Sequence, residues 1–242
     1  DGLDTAYGQT ALMVGVREGH AAVVQRLVAA GADVNRQTRV TETMPGKDRV
    51  LVMPSEIPGT LTNGVGIIRG GWPERGIRQP YAGAKTPLLY ATRLGDMAIT
   101  RMLVEAGADL ELADANGITP LLTAIINKSI VSIAPGTGEH LQVASWLIDQ
   151  GAKVNATDWY GESPLWTAID VRNLLYRNVS TSENFVDRDE ALALIKKLLA
   201  AGADVNARVT EYPPARHFIL GIGSVEWVDI TGQTPFLRAA LS

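Results

Sequence analysis

The sequence predicts an all-α repeat solenoid, a single array of stacked helix pairs with four long loop insertions. Three observations predict it. A closing phrase recurs at Gly31-Ala-Asp-Val-Asn35, Gly107-Ala-Asp-Leu-Glu111, Gly151-Ala-Lys-Val-Asn155 and Gly202-Ala-Asp-Val-Asn206. An opening phrase recurs at Gly8-Gln-Thr-Ala-Leu12, Thr86-Pro-Leu88, Gly117-Ile-Thr-Pro-Leu121, Gly161-Glu-Ser-Pro-Leu165 and Gly232-Gln-Thr-Pro-Phe236. Between the two phrases lie short apolar segments with helical spacing. Self-similarity at a fixed period is the signature of units that bury their apolar faces only by stacking.

Each element has a local reason. Thr or Ser followed by Pro starts a helix, because the hydroxyl caps free N–H groups and the proline ring already has helical φ. Small apolar residues such as Leu88-Leu-Tyr-Ala-Thr92 make the first helix of a unit. The second helix carries an apolar stripe, as in Ala22, Val23, Arg26 and Leu27. Gly107, after Leu103-Val-Glu-Ala106, stops that helix because glycine tolerates positive φ.

These phrases resemble the ankyrin repeat, whose period is about 33 residues and whose signature is T-P-L-H-x-A. The resemblance implies helix-turn-helix units joined by projecting hairpin fingers, and a partner surface on the fingers and the concave face. One departure is consistent: the His of T-P-L-H is Met13, Leu89, Leu122, Trp166 and Leu237 here, so apolar packing is expected in its place.

The period breaks in four places. Opening hydroxyl to closing glycine spans 21 residues from Thr10 to Gly31 and from Thr86 to Gly107, but 32 from Thr119 to Gly151 and 39 from Ser163 to Gly202. Two units thus hold about 11 and 18 extra residues between their helices, and two fingers are longer by about 43 and 20, against the uninterrupted period. The array 1–242 divides into repeats near 5–35, 83–111, 114–155, 158–206 and an incomplete 229–242, with finger insertions at 36–82 and 207–228. Insertions held on a rigid solenoid are natural sites of function. The 36–82 segment is rich in Gly and Pro, and Val50-Leu-Val-Met53 and Val65-Gly-Ile-Ile68 read as edge strands. It holds seven basic residues against four acidic ones in a chain of net charge −4. Such a flap either docks on its own acidic array or faces a partner.

Aromatic and arginine residues are the usual interface anchors. Trp72, Arg75, Arg78, Trp159, Tyr160, Tyr212 and Trp227 lie in fingers or insertions and are the candidate partner-binding residues. Trp159 and Tyr160 sit on a short finger and either anchor a partner or pack locally. Trp146 and Trp166 lie on helices and read as core.

No constellation for chemistry emerges. His20, His140 and His217 are scattered, with no metal-binding spacing. The chain has no cysteine, which excludes disulfides, thiolate metal sites and a cysteine nucleophile. There is no Gly-x-Ser-x-Gly elbow, and residues 64–70 have the wrong glycine spacing for a dinucleotide loop. Residues 135–140 are glycine-rich but lack the lysine of a phosphate loop. Asp187, Asp189 and Glu190 precede Ala191-Leu-Ala-Leu-Ile195 and mark a helix N-terminus. The net charge gives no nucleic-acid footprint, and no apolar run approaches the roughly 18 residues of a membrane helix. The expectation is therefore no catalysis, no cofactor and no metal.

Three stretches, residues 170–177, 207–214 and 227–236, resemble a group of long bacterial ankyrin-repeat proteins. That resemblance implies an exported protein, in the periplasm or outside the cell. The half unit ending at Leu241-Ser242 and the apolar Ala11-Leu-Met-Val14 give the expectation of a chain cut from a longer array, or of an open end completed by a neighbouring molecule. The functional expectation is a scaffold that binds another protein. The alternative is a structural subunit that assembles with itself head to tail through its last half-repeat.

Overall fold

The first helix of each unit starts after a hydroxyl, and four of the five have proline next. The computed structural model describes residues 2, 4, 7–42, 60–62, 66–68, 81–129, 139–173, 188–210 and 231–240. Among these, helices α1 (Ala11–Arg17) and α2 (Ala21–Ala29) form the first pair, α3 (Pro87–Leu94) and α4 (Met97–Glu105) the second. Helices α5 (Pro120–Ser129) and α6 (His140–Asp149) form the third, α7 (Pro164–Asn173) and α8 (Arg188–Ala200) the fourth, and α9 (Pro235–Ala240) opens a fifth unit. The hydroxyls of Thr10, Thr86, Thr119, Ser163 and Thr234 accept from the N–H of Met13, Leu89, Leu122, Trp166 and Leu237 at 3.1–3.3 Å. Five helices thus begin with the same cap, which supplies one of the N–H partners that a helix end lacks. In α1 the thioether of Met13 also accepts from the Thr10 N–H at 3.5 Å, closing a capping box usually closed by Glu or Gln. Asp189 and Glu190 fall in the first turn of α8, where the helix dipole favours negative charge.

First helices form one layer, with α1 on α3, α3 on α5, α5 on α7 and α7 on α9. Second helices form the other, with α2 on α4, α4 on α6 and α6 on α8. The apolar interior runs between the layers. One cluster joins Leu12, Val16, Val24, Leu88, Ile99 and Leu103. A second joins Leu121, Ile125, Leu141, Leu147, Leu165 and Leu198. Val104 and Leu110 pack against both and make the stack continuous.

The residues that replace the family's histidine behave alike in four units and differently in the fifth. Met13, Leu89, Leu122 and Trp166 are buried, whereas Leu237 is 44% exposed. In α2 the buried face also differs from the expected stripe. Val24 is buried and Ala21, Leu27 and Val28 pack on the core, while Val23 is 46% exposed. The stripe is shifted because α1 and α4 pack against α2 so that Val24 is enclosed.

Strand pairing appears at the ends of the long insertion. Strands β1 (Thr41–Glu42) and β4 (Tyr81–Ala82) pair antiparallel, Thr41 opposite Ala82. This short ladder brings together residues 41 and 39 apart and returns the chain to the array. Strands β2 (Thr60–Thr62) and β3 (Gly66–Ile68) form a second antiparallel pair. The β3 segment falls within the expected 65–68 strand, whereas the expected strand at 50–53 lies outside the described residues. The extra residues within units three and four, expected between their helices, fall after α5 and after α7 and are also largely outside them.

Candidate functional site

The fingers are built from one turn used repeatedly. Asp114 Oδ1 accepts from the N–H of Asn116 at 2.8 Å and of Ile118 at 3.0 Å. Asp158 Oδ1 accepts from the N–H of Tyr160 and of Glu162, both at 2.9 Å. Asp suits this position because a short carboxylate can satisfy backbone donors two and four residues on.

Successive fingers are tied together by the closing phrases. Asn35 Oδ1 accepts from Asp109 N–H at 2.8 Å and its Nδ2 donates to Gly107 O at 3.0 Å. Asn155 repeats this with Asp204 N–H at 2.7 Å and Gly202 O at 3.0 Å. Between them, Glu111 Oε1 accepts from Lys153 N–H at 2.8 Å, so glutamate replaces asparagine at one junction. These bonds align the units and present the fingers in a fixed row.

Trp159 occupies a defined place in that row. Its N–H donates to Asn116 O at 3.1 Å. Its indole lies against Gly117, so close that a Cβ there would stand 2.7 Å from Trp159 Cδ1. Gly117 has φ +79°, a second reason for glycine. The Trp159 side chain remains 45% exposed. Tyr160 does not share that exposure. It is 3% exposed, and its carbonyl accepts from Thr210 N–H at 2.7 Å. Of the two alternatives open for this pair, Tyr160 packs locally and is corrected as a partner-contact candidate, because the following finger, at residues 208–210, closes over its side of the turn. Trp72, Arg75, Arg78, Tyr212 and Trp227 lie outside the described residues.

The same turn carries different charges in neighbouring fingers. Lys85 Nζ pairs with Asp114 Oδ2 at 2.5 Å, and Asp114 is buried. One unit later, the residue before the opening hydroxyl is Ile118 rather than lysine. The turn there holds a second carboxyl instead, since Glu162 stands where Ile118 stands in the previous finger. Asp158 and Glu162 are 6% and 3% exposed. Burial pushes the Asp158 carboxyl up to about 8, the Glu162 charge adds to the rise, and the two backbone donors oppose it. Sequence reasoning passed over this pair. Its signal was there in the alignment of the units, where Asp-x-x-x-Ile at 114–118 becomes Asp-x-x-x-Glu at 158–162.

Among the described residues the other candidates make structural contacts, and Asp187 and His217 lie outside them. Trp166 is buried, and the Arg238 guanidinium lies 6.0 Å from its ring centre. Arg238 also binds Asp170 Oδ1 through Nε at 2.6 Å and Nη2 at 2.5 Å, an ion pair buried between α7 and α9. Trp146 is half-buried beneath Arg101, 5.5 Å from the ring centre. His140 Nε2 lies 3.0 Å from Arg93 O, and His20 precedes α2. Among the described residues no three His, Asp or Glu side chains gather as metal ligands, and no helix is long and apolar enough to cross a membrane.

Comparison with known families agrees with this architecture. A family model described as Ankyrin repeats (3 copies) matches residues 72–158, and one described as Ankyrin repeat matches residues 7–39. No curated protein matches the chain. The α7–α8 pair and α9 lie beyond the matched stretches, yet their first helices carry the same hydroxyl cap and stack in the same layer. The fold of this chain is the ankyrin-repeat solenoid.

Proposed function

We propose that this chain is a non-catalytic scaffold that binds another protein along its row of fingers. Ankyrin repeats are generally protein–protein interaction modules. The observation that carries the reading is Trp159, a large aromatic that is 45% exposed while its backbone and ring are held by the preceding finger. A rigid, exposed tryptophan loses little freedom on binding, which is what an interface anchor requires. In this reading Trp72, Arg75, Arg78, Tyr212 and Trp227 extend the surface into the insertions, and Tyr160 supports the turn from beneath. We further propose, from the resemblance of residues 170–177, 207–214 and 227–236 to long bacterial ankyrin-repeat proteins, that the scaffold works outside the cytoplasm. A photo-crosslinking amino acid placed at 159 in the full chain should capture a defined protein in extracts of the source organism. The same group at Lys196, on an outer helix, should not. Equal labelling from both positions would remove the scaffold reading.

A second reading is head-to-tail self-assembly, and one observation favours it. Phe236 is 76% exposed, although its equivalents Leu12, Leu88, Leu121 and Leu165 are each 1% exposed. Val23 is 46% exposed, although its equivalents Ile99, Val143 and Leu194 are buried. The equivalent residues of the other units belong to the apolar interior, and a contact between copies of the array would cover Phe236 and Val23 in the same way. Sedimentation over a range of concentrations tests this, since a monomer throughout would exclude it.

A further inference from the structure

Successive fingers repeat one contact. The N–H of Arg39, Ala115, Trp159 and Thr210 donates to the carbonyl of Tyr7, Gly83, Asn116 and Tyr160, respectively, at 2.9, 3.2, 3.1 and 2.7 Å. Each donor stands eight residues after a closing glycine, so the four occupy one place in successive units. Burial alternates up to that place, as in an extended chain whose successive side chains point to opposite sides. Gln37 and Arg39, Thr157 and Trp159, and Arg208 and Thr210 are exposed. The residues between them, Thr38, Asp158 and Val209, are buried. The second finger has only alanine, Ala113 and Ala115, at the two outer places.

Charge is one-sided along this edge. Within 36–39, 112–115, 156–159 and 207–210 the exposed charged residues are Arg36, Arg39 and Arg208, all cations. The acids of these stretches, Asp114 and Asp158, are buried. The edge therefore runs against the net charge of −4 of the whole chain. Its large side chains are also held in place. Arg39 Cγ lies 3.1 Å from where a Cβ on Gly8 would stand, and Trp159 lies on Gly117 in the same manner. Arg208 Nη1 donates to Gly232 O at 3.1 Å, and among the described residues no carboxylate forms an ion pair with that guanidinium. Gly8, Gly117 and Gly232 hold the same position in the opening phrase, with φ of +68°, +79° and +80°. One glycine position thus receives Arg39, Trp159 and Arg208. Side chains fixed in this way lose little freedom when a partner arrives.

We propose that this finger edge receives an acidic, extended segment of a partner protein, with an apolar side chain on Trp159 and carboxylates to either side of it on Arg39 and Arg208. The inference rests on the scaffold reading and names the chemistry of its partner. Neighbouring units stack at about 8–10 Å, and an extended chain advances about 3.3 Å per residue. Arg208 lies one unit from Trp159 and Arg39 two units from it on the other side. The carboxylates therefore stand about three residues from the apolar one in one direction and about six in the other. Ala113 and Ala115 present no bulk to the segment where it crosses between Arg39 and Trp159.

The test uses the full chain and synthetic peptides labelled with fluorescein, with binding read by anisotropy at low and at physiological salt. The probe carries one phenylalanine, aspartates about three residues away on one side and about six on the other, and serine elsewhere, made in both chain directions. It should bind in one direction at least, and its counterpart with lysine for aspartate should not. Glutamine keeps the stem that rests on Gly8, so Arg39→Gln tests the charge. Arg39→Gln and Arg208→Gln should each weaken binding by up to about fivefold, the range of an exposed ion pair, and by less at higher salt. Trp159→Ala should weaken it by more than about tenfold. Lys196→Gln removes an equal charge from the exposed side of α8 and should change nothing. Unchanged urea midpoints in the variants show that the array is intact. The inference is overturned if the probe does not bind in either direction, if the lysine peptide binds as well, or if both arginine variants bind like the unaltered chain. Equal binding of the aspartate peptide without phenylalanine, or of an oligothymidylate of the same length, also overturns it, because the edge is then a general surface for polyanions. Crosslinking from position 159 judges the scaffold reading separately. A protein captured there with no preference for the acidic probe leaves that reading standing and removes this one.

Discussion

Gly117 shows how one residue is set by its neighbour. Its φ of +79° and the indole 2.7 Å from a virtual Cβ both demand glycine. Gly107 has φ +89°, but a Cβ there would meet nothing within 4 Å. Gly107→Ala should therefore cost only the conformational penalty of about 1–2 kcal/mol. Gly117→Ala should cost more and alter Trp159 fluorescence as well, and urea unfolding of both variants measures the difference. A lesser effect at 117 than at 107 would contradict the packing of Trp159 on the preceding finger.

Asp158 makes stability depend on pH at the same scale. Its ordinary value is 3.8 and burial with Glu162 raises it to about 8 in the folded chain. Between these values the folded chain binds the proton more tightly than the unfolded chain does. Stability should thus be fully present below about 4 and fall as pH rises toward about 8, by at most about 1.4 kcal/mol per pH unit. Urea midpoints at pH 5 and pH 8 should differ in the unaltered chain and converge in Asp158→Asn.

At the scale of elements, the caps and the ion pair act differently. Thr86 Oγ1 accepts one helix-end N–H, so Thr86→Ala should lower stability by about 1 kcal/mol. Asp170 and Arg238 are 2% and 5% exposed and link α7 to α9 across 68 residues of sequence. Asp170→Ala leaves a buried guanidinium without that carboxylate and should cost about 3–5 kcal/mol. Hydrogen exchange would show the loss concentrated in α9 and α7. Uniform exchange along the array would contradict this assignment. The first helices of the units were legible in the sequence because each begins after its own hydroxyl, followed by proline in α3, α5, α7 and α9. The α7–α9 ion pair was not, since no local pattern connects position 170 with position 238. The face of α2 was misread by one residue for a similar reason. Ala22, Val23 and Val24 are adjacent apolar residues, and only the packing of α1 and α4 selects Val24 for burial.

For the whole molecule, stability is distributed between neighbouring units. Two core clusters meet through Val104 and Leu110, and Asn35 and Asn155 bridge successive closing phrases. In such arrays the interfaces between units carry the cooperativity. Leu110→Ala weakens the place where the clusters join, so its urea transition should broaden or divide into two, with units one and two separating from units three and four. A single sharp transition merely displaced along the urea axis would show that the junction is held elsewhere. The candidate site was legible only in part at this scale. An exposed Trp159 follows from its place on a short finger, but Tyr160 has the same sequence credentials and is buried by residues 208–210 of the next finger.

What the sequence determined by itself is the repeat: its phase, its caps, its closing glycines and the positions of its insertions. These depend on residues a few places apart, whose backbone preferences and hydrogen bonds are local. What the tertiary structure decided is which of those residues face one another across units. It set Trp159 against Gly117 and buried Tyr160. It enclosed Asp158 with Glu162 while pairing Asp114 with Lys85, and it joined Asp170 to Arg238. Desolvation and charge pairing belong to the assembled stack, because they depend on what a neighbouring unit brings within a few ångströms and on how much water it displaces.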